Sequence, residues 1–358
     1  MVERQDRIIG AAGHVAPLEG FESNVVKIEY HSDLKEVQSD EVLAALLSDS
    51  CQRAPFDRLS WWRGLARDCG LSPLLAVARE HEQAAILPLT DQAGHLTGLS
   101  NWYTFRFRPI LSGDPALLTA LARNLARRAH RITLSGVPEE DGSASLLKSA
   151  FNAAGWLVLG SVCDTNHILR LTGRSYENYI VARAGKLRTT LKRKSGKLET
   201  QVLARFDETA WAAYEDIYAE SWKPEEGSPA FLRAFAQEEG TAGRLRLGVA
   251  YADGKALAAQ MWTVEDGTAF IHKLAYRNAA KPLSPGSVLT AALMRHVIDV
   301  DGVALVDFGT GDDPYKRDWM EETRPRFRLD MFRPFDRRNW PVLAKIGLRR
   351  LAANAKRR

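Results

Sequence analysis

The chain contains no apolar run long enough to cross a bilayer. Uninterrupted stretches such as LLAVA at 74–78 fall far short of the roughly 20 residues a membrane-spanning helix needs. The first twenty residues, MVERQDRIIGAAGHVAPLEG, have no continuous apolar segment, so no secretory signal is expected. Cysteine is scarce: Cys51, Cys69 and Cys163 are far apart, odd in number and free of CxxC spacing. That excludes a disulfide framework, suits a reducing cytoplasm and, with no thiolate or imidazole cluster at ligand spacing, points to no metal. A one-signed charge field is also lacking. Of the net +5, residues 183–197 carry +7 and residues 333–358 carry +8, which leaves −10 on the rest. Basicity this local is not the footprint of a nucleic-acid-binding surface, and no obligate protein partner is evident.

What is present is 45% hydrophobic residues over 358 positions, enough for about two domains with ordinary cores. In the second half, Glu208–Trp222 has helical spacing with Trp211, Tyr214, Ile217 and Tyr218 on one face, and Pro229–Glu239 reads as a second helix. Three strand-like runs follow at 244–252, 256–265 and 268–277, separated by Asp253-Gly254 and Asp266-Gly267, which predicts an antiparallel meander. KPLSPG at 281–286 then leads into a helix over 287–299, with Ser287 as its expected N-cap. VALVDFG (303–309) is a short strand, PYKRDWMEE (314–322) a helix and RFRLDMFRP (326–334) a strand.

The first half repeats that order more faintly. LSWWRGLARDCG (59–70) is helical, LLAVAR and AAILPLT bracket a turn, and HLTGLSNWYTFRFRPI (95–110) supplies a third strand and its sequel. A helix (116–130), a strand (131–137), a helix (143–155) and a strand (156–162) follow. The same order twice, offset by about 170 residues, argues for an internal duplication.

A meander feeding a glycine-containing loop and a helix resembles the GNAT superfamily of acyltransferases. In doubled form it is similar to the FemAB-like and CelD/BcsL-type bacterial branch. SPGSVLTAALMRHVID (284–299), VDFGTGDDPYK (306–316) and the WW…LLAVAR…AILPL…NWY series carry the likeness over roughly residues 25–335. It implies an α/β (α+β) chain of two tandem GNAT-like domains, each a mixed, mostly antiparallel sheet flanked by helices. On this division 1–24 is a tail, 25–163 a degenerate, acceptor-side domain, 164–335 the catalytic, acyl-CoA-binding domain, and 336–358 a basic tail suited to a membrane surface.

The resemblance also implies acyl-CoA as donor and an amine as acceptor. Gly286, Ser287 and Val288 would offer helix N-terminal N–H groups to pyrophosphate, with Ser284 and Lys281 alongside; the alternative is an ordinary helix start. Lys273, Leu274 and Ala275 would run beside pantetheine. Tyr315 is the candidate acid for the departing thiolate, His272 and Asp307 are candidate bases or base-orienting groups, and Lys316 could stabilise an oxyanion. Trp222 and Lys223, with Trp102 and Tyr103 of the first half, are candidate substrate-binding residues, against a solvent loop and core aromatics respectively. The 183–197 run is either a solvated helix face, a contact for anionic lipid, or a grip on the 3′-phosphate of coenzyme A. Cations around Trp340 in the tail suit an anionic leaflet, giving a cytoplasmic protein peripheral to the inner membrane. Within the branch these features are similar to the bacterial ceramide synthases, which N-acylate a sphingoid base. N-acylation of an amino sugar in exopolysaccharide or cellulose assembly, FemAB-type transfer from aminoacyl-tRNA, and a catalytically dead scaffold remain the alternatives.

Overall fold

The computed structural model describes residues 26–355, with side chains to residue 348; the tail at 1–24 lies outside them. The first half opens with β1 (Lys27–His31) and helices α1 (Leu34–Ser39), α2 (Glu41–Leu46) and α3 (Leu59–Asp68). Strands β2 (Leu74–Glu80), β3 (Gln83–Gln92) and β4 (His95–Gly98) form a meander, and a short β5 (Ile110–Ser112) returns to β3. Helix α4 (Ala116–Leu125), β6 (Arg131–Val137), α5 (Ser143–Ala153) and β7 (Leu157–Arg170) follow. Two connecting helices, α6 (Tyr176–Val181) and α7 (Gly185–Lys194), lead to the second half. There β8 (Glu199–Leu203), α8 (Glu208–Ala219), α9 (Pro229–Thr241), β9 (Leu245–Ala252), β10 (Lys255–Glu265) and β11 (Thr268–Tyr276) repeat the scheme. Helix α10 (Pro285–Asp299), β12 (Leu305–Thr310), α11 (Pro314–Trp319), β13 (Glu322–Phe332) and the tail helix α12 (Trp340–Ala355) complete it.

Local chemistry accounts for these elements. Both Asp-Gly pairs turn with positive φ, 48° and 74° at Asp253-Gly254 and 44° and 67° at Asp266-Gly267, the geometry of two-residue hairpins whose twist matches the strands. In α8 the buried Trp211, Tyr214 and Ile217 recur at helical spacing, and the Asp207 carboxylate accepts from the Ala210 N–H at 2.8 Å. Helix α10 starts two residues before the expected point. Ser284, in the left-handed region (φ 53°), precedes Pro285, whose missing N–H costs nothing in a first turn, so Ser287 lies inside the helix and is not its cap.

The described strands form one sheet in the order β1-β2-β3-β4-β6-β13-β7-β12-β11-β10-β9-β8, with β5 beside β3. Its two ends are built alike, and the closing strand of each half is exchanged. β13 pairs with β6 of the first half, β7 pairs with β12 of the second, and β7 and β13 pair with each other over eleven positions. Residues 163 and 164 therefore both lie within one strand. A core common to both halves fills one face of the sheet, joining Trp61, Trp62, Leu65 and Phe105 to Trp211, Phe231, Phe235, Met261 and Phe270. Inside it Arg58, 1% exposed, donates to Glu239 at 2.9 Å and pairs with Glu265, joining a cation of the first half to two buried acids of the second, and Arg244 donates to Glu239 as well at 2.7 Å. Separate cores under α4 and α5, and under α6, α7 and α10, cover the other face.

Candidate active site

Strands β11 and β12 run parallel and pair only at Thr268–Leu305, Ala269–Val306 and Phe270–Asp307. Beyond Phe270 they part. His272 is the extra residue of a bulge, since Met261 faces Lys273 and Trp262 faces Ile271 across β10. β12 swings the other way through Gly309 (φ 66°), and its Thr310 pairs with Asn166 of β7. Asp307 fixes this turn: its carboxylate accepts from Asn166 Nδ2 at 2.7 Å and from the Gly309 N–H at 2.8 Å, while Arg326 holds the Asn166 oxygen at 2.7 Å. The edge of β11 past Phe270, including Lys273, Leu274 and Ala275, is thereby left without a strand on that side. In the first half the corresponding gap between β4 and β6 is filled by the chain itself, with the Phe107 N–H donated to Gly136 O at 3.0 Å.

At the open end of β11, α10 presents its N-terminus. The N–H groups of Gly286 and Ser287 have no acceptor among the described residues. Val288 does not join them: its N–H is taken by Ser284 O at 3.1 Å and its side chain is buried, which corrects the expectation that it supplies a donor. Gln260 of β10 anchors the helix start by donating to Gly286 O at 3.0 Å. A Cβ on Gly286 would lie 3.1 Å from the Tyr276 ring, and that ring packs against Trp222 at 4.3 Å between centroids.

Trp222 belongs to the 221–228 segment, which is held down from both halves. Tyr103 Oη donates to Glu226 Oε1 at 2.6 Å and accepts the Ser228 N–H at 2.9 Å. Lys273 Nζ meets the other Glu226 oxygen at 2.8 Å and lies 4.6 Å over the Tyr103 ring. Trp102, 68% exposed, lies against Gly227, where a Cβ would come within 2.2 Å of its ring. Lys223 is half-buried beside this group. Burial first, then the Lys273 charge, lower its ammonium to about 8, with Glu226 and Asp313 opposing and Lys316 adding to the shift. The candidates Trp102, Tyr103, Trp222, Lys223 and Lys273 are thus brought together. Sequence reasoning missed Glu226, which joins them: a carboxylate in a polar Pro-Glu-Glu-Gly loop shows nothing of a partner 123 residues away.

The remaining candidates separate. Tyr315, on α11, is 38% exposed with its ring edge-on to Phe308, and burial followed by the Asp313 charge pushes its phenol up to about 12. Lys316 is buried and donates to Thr310 O, tying α11 to the end of β12. His272 is walled in by Phe56, Phe105 and Phe235 and bonded to Thr263 Oγ1 at 2.8 Å; burial, then Lys273 and Arg58, bring its imidazole down to about 3. A group that weak takes no proton from an ammonium at neutral pH, which corrects its reading as a base. Asp307 borders a polar cavity of about 570 Å³ between the halves, shared with Arg106, Arg108 and Arg324. Among the described residues no helix is long and apolar enough to cross a membrane, and no cluster of His, Cys, Asp and Glu is arranged to hold a metal ion.

Residues 185–317 match the family model described as an acetyltransferase (GNAT) domain. No curated protein sequence matches the chain. The fold is similar to that of the C-terminal domain of a putative lysylphosphatidylglycerol synthetase from Agrobacterium fabrum, with a TM-score of 0.56 at 13% identity over 85% of this chain and 93% of that one. L-PGS from Bacillus licheniformis gives 0.55 at 14% identity, over 88% and 97% of the two chains. FemX gives 0.54 at 11%, over 84% and 96%. At such identities the likeness is one of fold.

Proposed function

We propose that this GNAT-type acyltransferase moves an acyl group from coenzyme A to the amine of an apolar, lipid-like acceptor at a membrane surface, N-acylation of a sphingoid base being the specific reaction. The opening between β11 and β12 beside a helix N-terminus with two free N–H groups is the observation that carries it. Coenzyme A fits the residues present: Gly286 and Ser287 would meet its pyrophosphate, with Ser284 beside them, and the unpaired edge at Lys273, Leu274 and Ala275 would bond the pantetheine amides. When bound it supplies the thioester. Tyr315, protonated at neutral pH, returns a proton to the leaving sulfur. Asp307 and Lys316 hold the fork open from β12 and α11.

Support for a membrane-borne acceptor comes from the tail, where Phe335 is 92% exposed and Trp340 and Leu348 also project from a surface carrying Arg337, Arg338 and Lys345. The test is release of free thiol by the purified chain from long-chain acyl-CoA, with a sphingoid base, an amino sugar or no acceptor. Release stimulated by the sphingoid base is expected; stimulation by the amino sugar alone would replace the acceptor class, and no release at all would overturn the donor.

A second reading, FemAB-type transfer from aminoacyl-tRNA, is favoured by the basic face of α7, where Lys186, Arg188, Lys192 and Lys194 surround a buried Leu187 and Leu191. Activity lost on ribonuclease treatment and indifferent to acyl-CoA would select it.

A further inference from the structure

Between α8, α9 and the 221–228 segment lies a pocket of about 470 Å³, inside the roughly 300–1,000 Å³ usual for small-molecule sites. Trp211, Tyr214, Tyr218 and Leu232 make its walls apolar and largely aromatic. Glu225 stands exposed at its rim, Glu215 beside it is half-buried and takes the Trp211 indole N–H at 2.9 Å and Arg233 at 3.4 Å, and Lys223 and Glu226 line the side toward β11. Two polar groups here have neither a hydrogen bond nor an ion pair among the described residues, though Lys223 Nζ lies 5.9 Å over the Trp222 ring. The Tyr214 hydroxyl is buried and makes no hydrogen bond, an arrangement that is unfavourable where nothing fills it. Lys223 Nζ forms no ion pair, because Glu226 is already engaged by Lys273 and Tyr103.

We infer that this pocket is the acceptor site, that it takes a primary amine with an apolar body, and that Lys223 removes the ammonium proton. The inference rests on the acyl-CoA reading above and gives that site its second substrate. The exposed Glu225 carboxylate at the rim draws in an ammonium ion, aromatic walls hold its apolar body and stabilise the cation, and a polar amine such as a sugar would lose its hydration against those walls. The proton passes from the ammonium to Lys223 Nζ and on to water. The freed nitrogen then bonds to the thioester carbonyl carbon, the C–S bond breaks, the sulfur takes the Tyr315 proton and leaves as coenzyme A thiol, and the second nitrogen proton restores Tyr315. The groups facing Lys223 are Lys273 on β11, Glu226 on its own segment, and Asp313 and Lys316 at α11; with burial they leave part of Lys223 as free amine at pH 7–8.

The test uses the full chain, first titrated with coenzyme A by calorimetry and then assayed with acetyl-CoA against n-octylamine and glucosamine. Leu232→Trp, and Ala219→Leu as a second filling variant at an exposed wall position, should raise the KM for n-octylamine roughly tenfold or more with coenzyme A binding intact. Lys223→Arg should hold that KM and lower kcat by roughly a hundredfold or more, because a guanidinium keeps the charge and cannot act as base. Filling variants with unchanged KM, glucosamine used as well as n-octylamine, or Lys223→Arg with full kcat would each overturn this inference. Failure of the wild-type chain to bind coenzyme A would instead overturn the donor reading beneath it.

Discussion

Neutralising the two neighbours of Lys223 should move its proton affinity in opposite directions. Lys223 lies at about 8 against an ordinary 10.5; burial is the larger cause, Lys273 the next, and Glu226 partly compensates. A unit charge within about 4–6 Å shifts a side-chain pKa by roughly 1–3 units. Lys273→Met removes the repelling cation and frees Glu226 to face Lys223, so its pKa should rise by about one unit or more. Glu226→Gln removes the compensating anion and leaves two lysines facing each other, so it should fall by about one unit. A lysine is the reactive free amine above its pKa. At pH 8, Lys223 should therefore label faster than wild type in Glu226→Gln and slower in Lys273→Met. Pulse labelling with acetic anhydride from pH 6 to 11, read by mass spectrometry on the peptide containing residue 223, measures this without any need for activity. Equal shifts in both variants, or a wild-type midpoint at the value of an exposed lysine, would refute the charge arrangement.

Three further outcomes follow from the geometry. Arg58→Met removes the near cation of Glu265 and leaves Glu239 to Arg244 alone, and should cost about 3 kcal/mol; an unchanged urea midpoint would contradict the network between the halves. Gly227→Val places a side chain where the Trp102 ring lies, so the 221–228 segment must shift; acceptor KM should rise with coenzyme A affinity within about twofold, and the reverse pattern would disprove its place on the acceptor side. Gly286→Val brings bulk against Tyr276 at the helix start and should weaken coenzyme A binding by roughly tenfold, while equal affinity by calorimetry would remove α10 from the donor site.

Much of the fold was legible because its signals are local. The Asp-Gly hairpins, the helical face of α8 and the repeated order of elements all arise from neighbouring residues. Strands β1 and β8 were not visible: ETQVL at 199–203 lies at a sheet edge, mostly exposed, and carries no apolar alternation. The α10 boundary was misjudged because a serine after Pro-Gly resembles a cap, whereas the proline itself belongs to the first turn. For the candidate site, pattern pointed to the segments around Gly286 and Tyr315, but the surroundings of His272 were not readable from it. Its neutrality comes from Phe56, Phe105 and Phe235, which reach it from distant parts of the chain. Glu226 and the Tyr214 pocket were hidden for the same reason.

The exchange of β7 and β13 has a consequence during synthesis. β6 ends at residue 137, yet the strand that covers its open side finishes at residue 332. At about 5–20 residues per second, a ribosome needs roughly 10–40 s to make the intervening chain. Throughout that interval the nascent first half displays an unpaired edge, and cutting the gene between the repeats would leave both products in that condition. On this geometry the two halves complete their sheet together.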